Sequence, residues 1–232
     1  MNEGKRLISV FFAPTALFED LREKQRWIVP FIICILLAGL VALLPRLFVS
    51  PEVWLDIIRN NMSNVKVNIQ VSPETMIQQM LSPIAIVFAT LEAMVVFSIF
   101  TFGISLIFWA IFAIFGGGLN FKKSLSVVSY TGLITIVGAL VTTLLSILFQ
   151  RLDITLSLAA LPIFNPDSIW YRLANQINFF AVWRVLVMGL GFAVIGQLKR
   201  SKGFLIVIIS WLVAISLQNF IPIIIKSITV HS

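Results

Sequence analysis

The sequence predicts an all-α fold: a polytopic transmembrane helical bundle of five spans, preceded by an N-terminal amphipathic interfacial helix. Three observations predict it. Hydrophobic residues make up 59% of the 232-residue chain and charged residues 12%, with a mean hydropathy of +1.02, a balance foreign to soluble domains of this length. Apolar runs of about 20 residues or more recur along the chain, each long enough to cross a hydrocarbon core. The basic residues that give a net charge of +7 stand at the ends of those runs instead of gathering on one face, so they speak for membrane topology and anionic headgroups, not nucleic acid.

Residues 1–26 form a cytoplasmic amphipathic segment. Pro14 punctuates it, and Ala16–Lys24 reads as a short helix with Leu17, Phe18 and Leu21 on one side. Two readings stand for it: a helix lying in the membrane interface on the basic side, or a plain juxtamembrane tether. Residues 27–232 form one five-helix domain. Its first span is 28–48, with Trp27 as interfacial anchor, Pro30 in the first turn and a small patch at Ala38, Gly39 and Ala42. A polar loop follows over 49–82, in which Val65, Val67, Ile69 and Val71 alternate with polar residues in a strand-like pattern.

The second span, 84–115, opens after Ser82-Pro83 and is about 50 Å long at 1.5 Å per residue, so its first turns protrude or tilt. It stops at Gly116, Gly117 and Gly118, and Lys122 and Lys123 follow. These five residues are a candidate cytoplasmic turn surface. The third span, 125–149, places Gly132, Thr135, Ala139 and Thr142 on one face, which is expected to pack on a neighbour. Residues 150–177 form a second loop, with a helix start at Asn165–Ser168 that is expected to run straight into the fourth span, 178–198. There Gly189, Ala193 and Gly196 make a close-approach surface. Lys199–Gly203 is the last basic turn, and the fifth span is 204–225.

Five spans put the N-terminal segment and the turns at 116–124 and 199–203 on one side. That side holds ten of the seventeen basic residues: Lys5, Arg6, Arg22, Lys24, Arg26, Lys122, Lys123, Lys199, Arg200 and Lys202. The other side spreads Arg46, Arg59, Lys66, Arg151, Arg172 and Lys226 over much longer loops. The density predicts a cytoplasmic N-terminus and an outside C-terminus.

Residues 115–130, reading Phe-Gly-Gly-Gly-Leu-Asn-Phe-Lys-Lys-Ser-Leu-Ser-Val-Val-Ser-Tyr, resemble the glycine-rich turn and Ser-Tyr helix start of the Yip (Ypt-interacting protein) domain family. The run from Phe179 to Gly191 and the opening from Phe12 to Arg22 are similar to further elements of that family. The resemblance spans nearly the whole chain. It implies a five-helix membrane protein with a cytosolic N-terminus, acting as an adaptor or scaffold in membrane organisation or trafficking. Eukaryotic members are associated with Rab-type GTPases. This chain lacks a long acidic, Pro-rich segment before the first span, which argues against GTPase binding and aligns it with the short prokaryotic members, and so with the cytoplasmic (inner) membrane. The implied partners are membrane lipids, with anionic headgroups at the cytoplasmic face, and an unknown membrane protein.

Glu92 and Arg184 are the ionisable residues nearest to apolar depth. Counted along their helices they share a level and form a candidate intramembrane polar pair; equally, Arg184 snorkels outward and Glu92 meets water. Tyr130 and Gln218 are a candidate polar path, or they simply hydrogen-bond between helices. If Glu92, Arg184, Tyr130 and Gln218 converge on one cavity, the alternative function is that of a transporter or permease component for a lipid or small solute. Catalysis finds no foothold. The single histidine is His231 in the tail, the single cysteine is Cys34 inside the first span, and no His/Cys/carboxylate set has metal-ligand spacing, so no enzyme activity and no cofactor are expected. The turn at Gly116–Gly118 fails the phosphate-loop pattern, because Phe121 and not Gly precedes the lysines.

Overall fold

A computed structural model describes residues 1–64, 71–165 and 168–230, and of these the side chains up to residue 219 other than those of residues 61, 63 and 64. The alternating pattern over 65–71 thus falls almost wholly outside the described residues. Among those described, the chain is all helical apart from its turns and one isolated bridge. Helix α1 is Glu3–Phe12, α2 Pro14–Glu23, α3 Ile28–Phe48, α4 Pro51–Asn64, α5 Pro73–Met80, α6 Pro83–Ile114, α7 Phe121–Phe149, α8 Ile169–Asn175, α9 Phe179–Ile195 and α10 Arg200–Val230. Four of them, α3, α6, α7 and α10, are long and apolar enough to cross a membrane, while α9 is an apolar helix of 17 residues. That is the low end of what spans a bilayer core.

The chain divides into two compact units. One comprises Met1–Phe31, Thr101–Thr135 and Thr155–Ser232. Its centre is the first part of α7, where every residue from Ser124 to Ile134 is buried. A helix hydrophobic on one stripe buries one face; this stretch is covered on all sides and so serves as a core element. The small face expected on α7 is therefore not what distinguishes its packing: Thr135 is exposed, and Leu125, Val127, Val128 and Ile134 are enclosed alongside Gly132.

Helices α9 and α10 pack closely, and here the expected small surface does form. A Cβ on Gly189 would lie 2.8 Å from the ring of Phe204, and one on Gly203 would lie 2.6 Å from the Ala193 Cβ and 2.7 Å from the Gly189 carbonyl oxygen. Glycine lets these backbones approach where lipid gives no hydrophobic drive between helices. Phe192 of α9 stacks on Phe112 of α6, with ring centroids 4.7 Å apart.

The expectation that α8 continues into α9 does not hold. The helix ends at Asn175, and Asn178 starts a new one by accepting the Ala181 N–H on its side-chain oxygen (2.8 Å). The backbone between them turns outward to accept the Leu158 N–H on the Ile177 carbonyl. Asn175 also receives hydroxyl bonds from Thr155 and Ser157, which ties the preceding loop to the end of α8.

The other unit comprises Ile32–Phe100 and Ile136–Ile154. Gly39 of α3 faces Thr90 and Met94 of α6, at the small patch expected on the first span. Arg59 of α4 pairs with Glu74 of α5 at 2.8 Å, both half in water, so the pair adds little stability. Gln150, just past α7, has φ 50° and a fully used amide. It donates to the carbonyls of Phe48 and Ile147 and accepts the Ser50 N–H, clamping the end of α3 to the end of α7. Replacing Gln150 with Ala removes three hydrogen bonds and keeps the left-handed strain, an expected loss of about 1–2 kcal/mol. Thermal unfolding in detergent should show the drop, with Gln150→Gly falling less because glycine relieves the strain.

Candidate functional site

Three segments far apart in the chain meet in the first unit: the α1–α2 hairpin, the turn after α6 and the turn after α9. The hairpin arises because Pro14, at the first position of α2, cannot extend α1, so a second ten-residue helix starts there. Leu17, Phe18 and Leu21 on α2 are fully buried, and α2 packs against α9. A Cβ on Gly191 would come within 2.7 Å of the Phe18 ring. The apolar side of Ala16–Lys24, which one of the two sequence readings lays in a lipid interface, is thus covered by protein. Exposed apolar side chains fall on α1 instead, at Ile8 and Phe12, the latter 85% exposed.

Helix α1 turns its polar side inward. Arg6 is 2% exposed; its Nε donates to Asp20 Oδ2 and its Nη1 to Glu3 Oε1, both at 2.6 Å. The Met1 amino group binds the other Asp20 oxygen at 2.7 Å, and Arg26 reaches Glu3 at 2.8 Å. Tyr130, fully buried on α7, interacts electrostatically with Glu3, Arg6 and Asp20. The hydrogen bond from Arg6 holds the Asp20 carboxyl below its ordinary range, against the opposing effect of burial. Sequence reading counted Arg6 only as one more basic residue. The signal available was Pro14, which predicts a hairpin and so brings positions 6 and 20 face to face.

The glycine turn is built as its sequence requires. Gly116 sits at φ 79°, the left-handed region where glycine carries no penalty, and the Gly117 N–H closes onto the Phe112 carbonyl at 2.8 Å. Asn120 caps α7 by accepting the Lys123 N–H. The segments are then cross-linked: the Gly118 N–H to the Gly196 carbonyl (3.3 Å), Lys202 Nζ to the Phe115 carbonyl (2.7 Å), and Asn120 Nδ2 to Gln25 Oε1 (3.4 Å). Lys123 also turns back, to the Gly118 carbonyl at 3.2 Å. Lys123 and Lys202 are therefore structural, whereas Arg22, Lys24, Lys122, Lys199 and Arg200 stand exposed. Among the described residues, these five make no ion pair.

The remaining sequence candidates lie elsewhere. Glu92 is exposed on α6 in the second unit; Arg184 is partly buried in the second turn of α9 in the first. Gln218 is exposed on α10, while Tyr130 is enclosed beside Arg6.

Long apolar helices joined by short polar turns define the class: an integral membrane protein of helical-bundle type. A family model, the Yip1 domain, matches residues 8–218. The chain belongs to the Yip1 domain family. No match is found among curated proteins or solved structures.

Proposed function

We propose that this protein is a non-enzymatic adaptor or scaffold of the membrane, serving membrane organisation or trafficking. In this reading α9 is the fourth of five spans, the N-terminal hairpin and both basic turns face the cytoplasm, and the C-terminus lies outside. The observation that carries it is the assembly of hairpin and turns into one cross-linked basic face, held by Arg6–Asp20, Gly118–Gly196 and Lys202–Phe115. A surface so fixed loses little entropy on docking. Its exposed cations suit anionic headgroups, at about 1 kcal/mol per basic residue near the surface, and the hairpin also exposes the apolar side chains of Ile8 and Phe12.

The test is native mass spectrometry of the protein extracted in lipid discs at endogenous level. A stoichiometric membrane-protein partner is expected, and it should be lost when Lys122, Lys199 and Arg200 are changed together to Glu. Recovery of a monomer or homo-oligomer alone, from every extraction, would overturn the adaptor reading.

A further inference from the structure

The charges of the N-terminal hairpin are sorted by end, not by face. On α1 they fall at residues 3, 5 and 6, and on α2 and its exit between residues 19 and 26; residues 7–18, which include the bend, carry none. A helix that lies flat in a membrane interface keeps its polar and apolar residues on opposite faces along its whole length. Here Lys5, Ile8 and Phe12 share the outward face of α1, and apolar exposure grows toward the bend. Ile8 is 62% exposed and Phe12 85%, and Ala13 and Ala16 are exposed beyond them.

Three contacts hold the open end of the hairpin at the level where long helices begin. Glu3 pairs at 2.8 Å with Arg26, two residues before α3. Asn120, just before α7, donates to Gln25 Oε1 at 3.4 Å. Arg22 lines a depression with Arg200, the first residue of α10. Helices α3, α7 and α10 are each long and apolar enough to cross a membrane, so their heads mark the water boundary. From that boundary the hairpin runs inward: Arg22 stands beside the turn after α9, whereas Phe18, one helical turn earlier, already meets Gly191 within α9. Each arm has ten residues and is about 15 Å long at 1.5 Å per residue, the thickness of one hydrocarbon leaflet. The bend is compact. Ala13 alone separates the helices, its N–H bonds the Ser9 carbonyl (2.9 Å), its carbonyl accepts the Leu17 N–H (3.2 Å), and Pro14 brings no N–H to satisfy.

We infer that the α1–α2 hairpin is a re-entrant element, inserted bend first into the leaflet that borders the basic turns, with Ile8, Phe12, Ala13 and Ala16 against lipid acyl chains. Its occupant is lipid, because the uncharged part reaches one leaflet deep and the charges stop at the boundary. The inference goes beyond the adaptor reading. It needs only that α3, α7 and α10 cross a bilayer, and it stands whether or not a protein partner is found.

The experiment measures depth along the outward stripe of α1. Spin labels are placed at Lys5→Cys, Ile8→Cys and Phe12→Cys of the full chain carrying Cys34→Ala, in lipid discs. Relaxation by dissolved oxygen, which concentrates in hydrocarbon, is compared with relaxation by a water-soluble nickel chelate. Immersion should increase from residue 5 to residue 12 by about 10 Å, seven residues at 1.5 Å each, with nickel dominating at the first and oxygen at the last. Equal depth at the three positions would mean a flat interfacial helix, nickel access at all three a hairpin in water, and little access of either reagent at residue 12 a protein cover; each overturns the inference. Should a variant melt below its parent, the unsubstituted chain decides. Phosphatidylcholine with a diazirine midway along one acyl chain should label residues 7–18 and spare 1–6, whereas a headgroup diazirine should label 1–6 and 19–26. Labelling of 7–18 from the headgroup alone would equally overturn it.

Discussion

Replacing Arg6 with Ala should release the N-terminal hairpin. Arg6 is 2% exposed and the sole side-chain cation on Asp20, at 2.6 Å, and it shares Glu3 with Arg26. Removing one member of a buried pair strands the other charge, at about 3–5 kcal/mol. Asp20 and Glu3 keep 19% and 31% of their surface in water, so the expected local cost is nearer about 2–3 kcal/mol. The apolar contact of Leu17, Phe18 and Leu21 with α9 survives the substitution. The result is accordingly partial opening, read as faster hydrogen exchange and protease cleavage over residues 1–23, with the spans unchanged. Arg6→Met paired with Asp20→Leu should restore only part of the protection, because it removes the stranded Asp20 charge but leaves the Met1 amino group and Glu3 without those partners. Protection unchanged in Arg6→Ala would show that the ion pairs contribute nothing to docking.

Acid should act in the same direction. The folded-state pKa of Asp20 is depressed, by the Arg6 hydrogen bond first and the Met1 amino group after it, with burial opposing. A depressed carboxylate contributes stability that is fully present above its unfolded value, near 4, and lost as pH falls through the lower folded value. Hairpin protection should therefore hold at neutral pH and fail only in strong acid, and Asp20→Asn should show the acid-state protection already at pH 7.

Gly203→Leu should be the most damaging single change in the first unit. Even a Cβ at this position meets the Ala193 Cβ at 2.6 Å and the Gly189 carbonyl at 2.7 Å, and a backbone atom cannot swing aside as a side chain can. Alanine forces α9 and α10 apart by several tenths of an ångström, at about 1–3 kcal/mol. Leucine adds three more carbons to the same space and should abolish the pairing, giving aggregation on size-exclusion chromatography in mild detergent. Gly191→Leu is the contrasting case: the three atoms nearest its Cβ all belong to the ring of Phe18, so it should displace α2 and leave the α9–α10 pair intact. Equal melting temperatures for Gly203→Leu and wild type would refute the close-approach account.

Most of the bundle was legible because hydrocarbon imposes a length that apolar runs declare directly. The close approach at Gly189 was legible for a related reason: small residues at helical spacing have few uses in lipid. The partner of the α2 apolar face was not legible, since Leu17, Phe18 and Leu21 look the same whether they face acyl chains or α9. Only the inward side of α1, with Arg6 and Asp20 engaged, separates the two, and that depends on the turn at Pro14. The depression lined by Arg22, Gln197 and Arg200 was not legible for a topological reason. Arg22 and Arg200 come together only once α2 lies on α9, and a left-handed Gln197 has no signature in composition or period.

The enclosure of the first part of α7, Ser124 to Ile134, bears on how the chain is made. A helix surrounded by protein in the finished molecule must first enter the bilayer alone, with lipid on every side, and its hydroxyls then have no neighbour to bind. Thr131 and Ser126 meet that condition by themselves, donating to the carbonyls of Val127 and Lys122 one turn back. Ser124 donates across to the Ser105 carbonyl on α6, a partner synthesised before α7 emerges. What arrives later, α9 and α10, adds chiefly apolar surface and glycine. Biogenesis can thus proceed in one direction along the chain, with Ser124, Ser126 and Thr131 finding their acceptors among residues already in place.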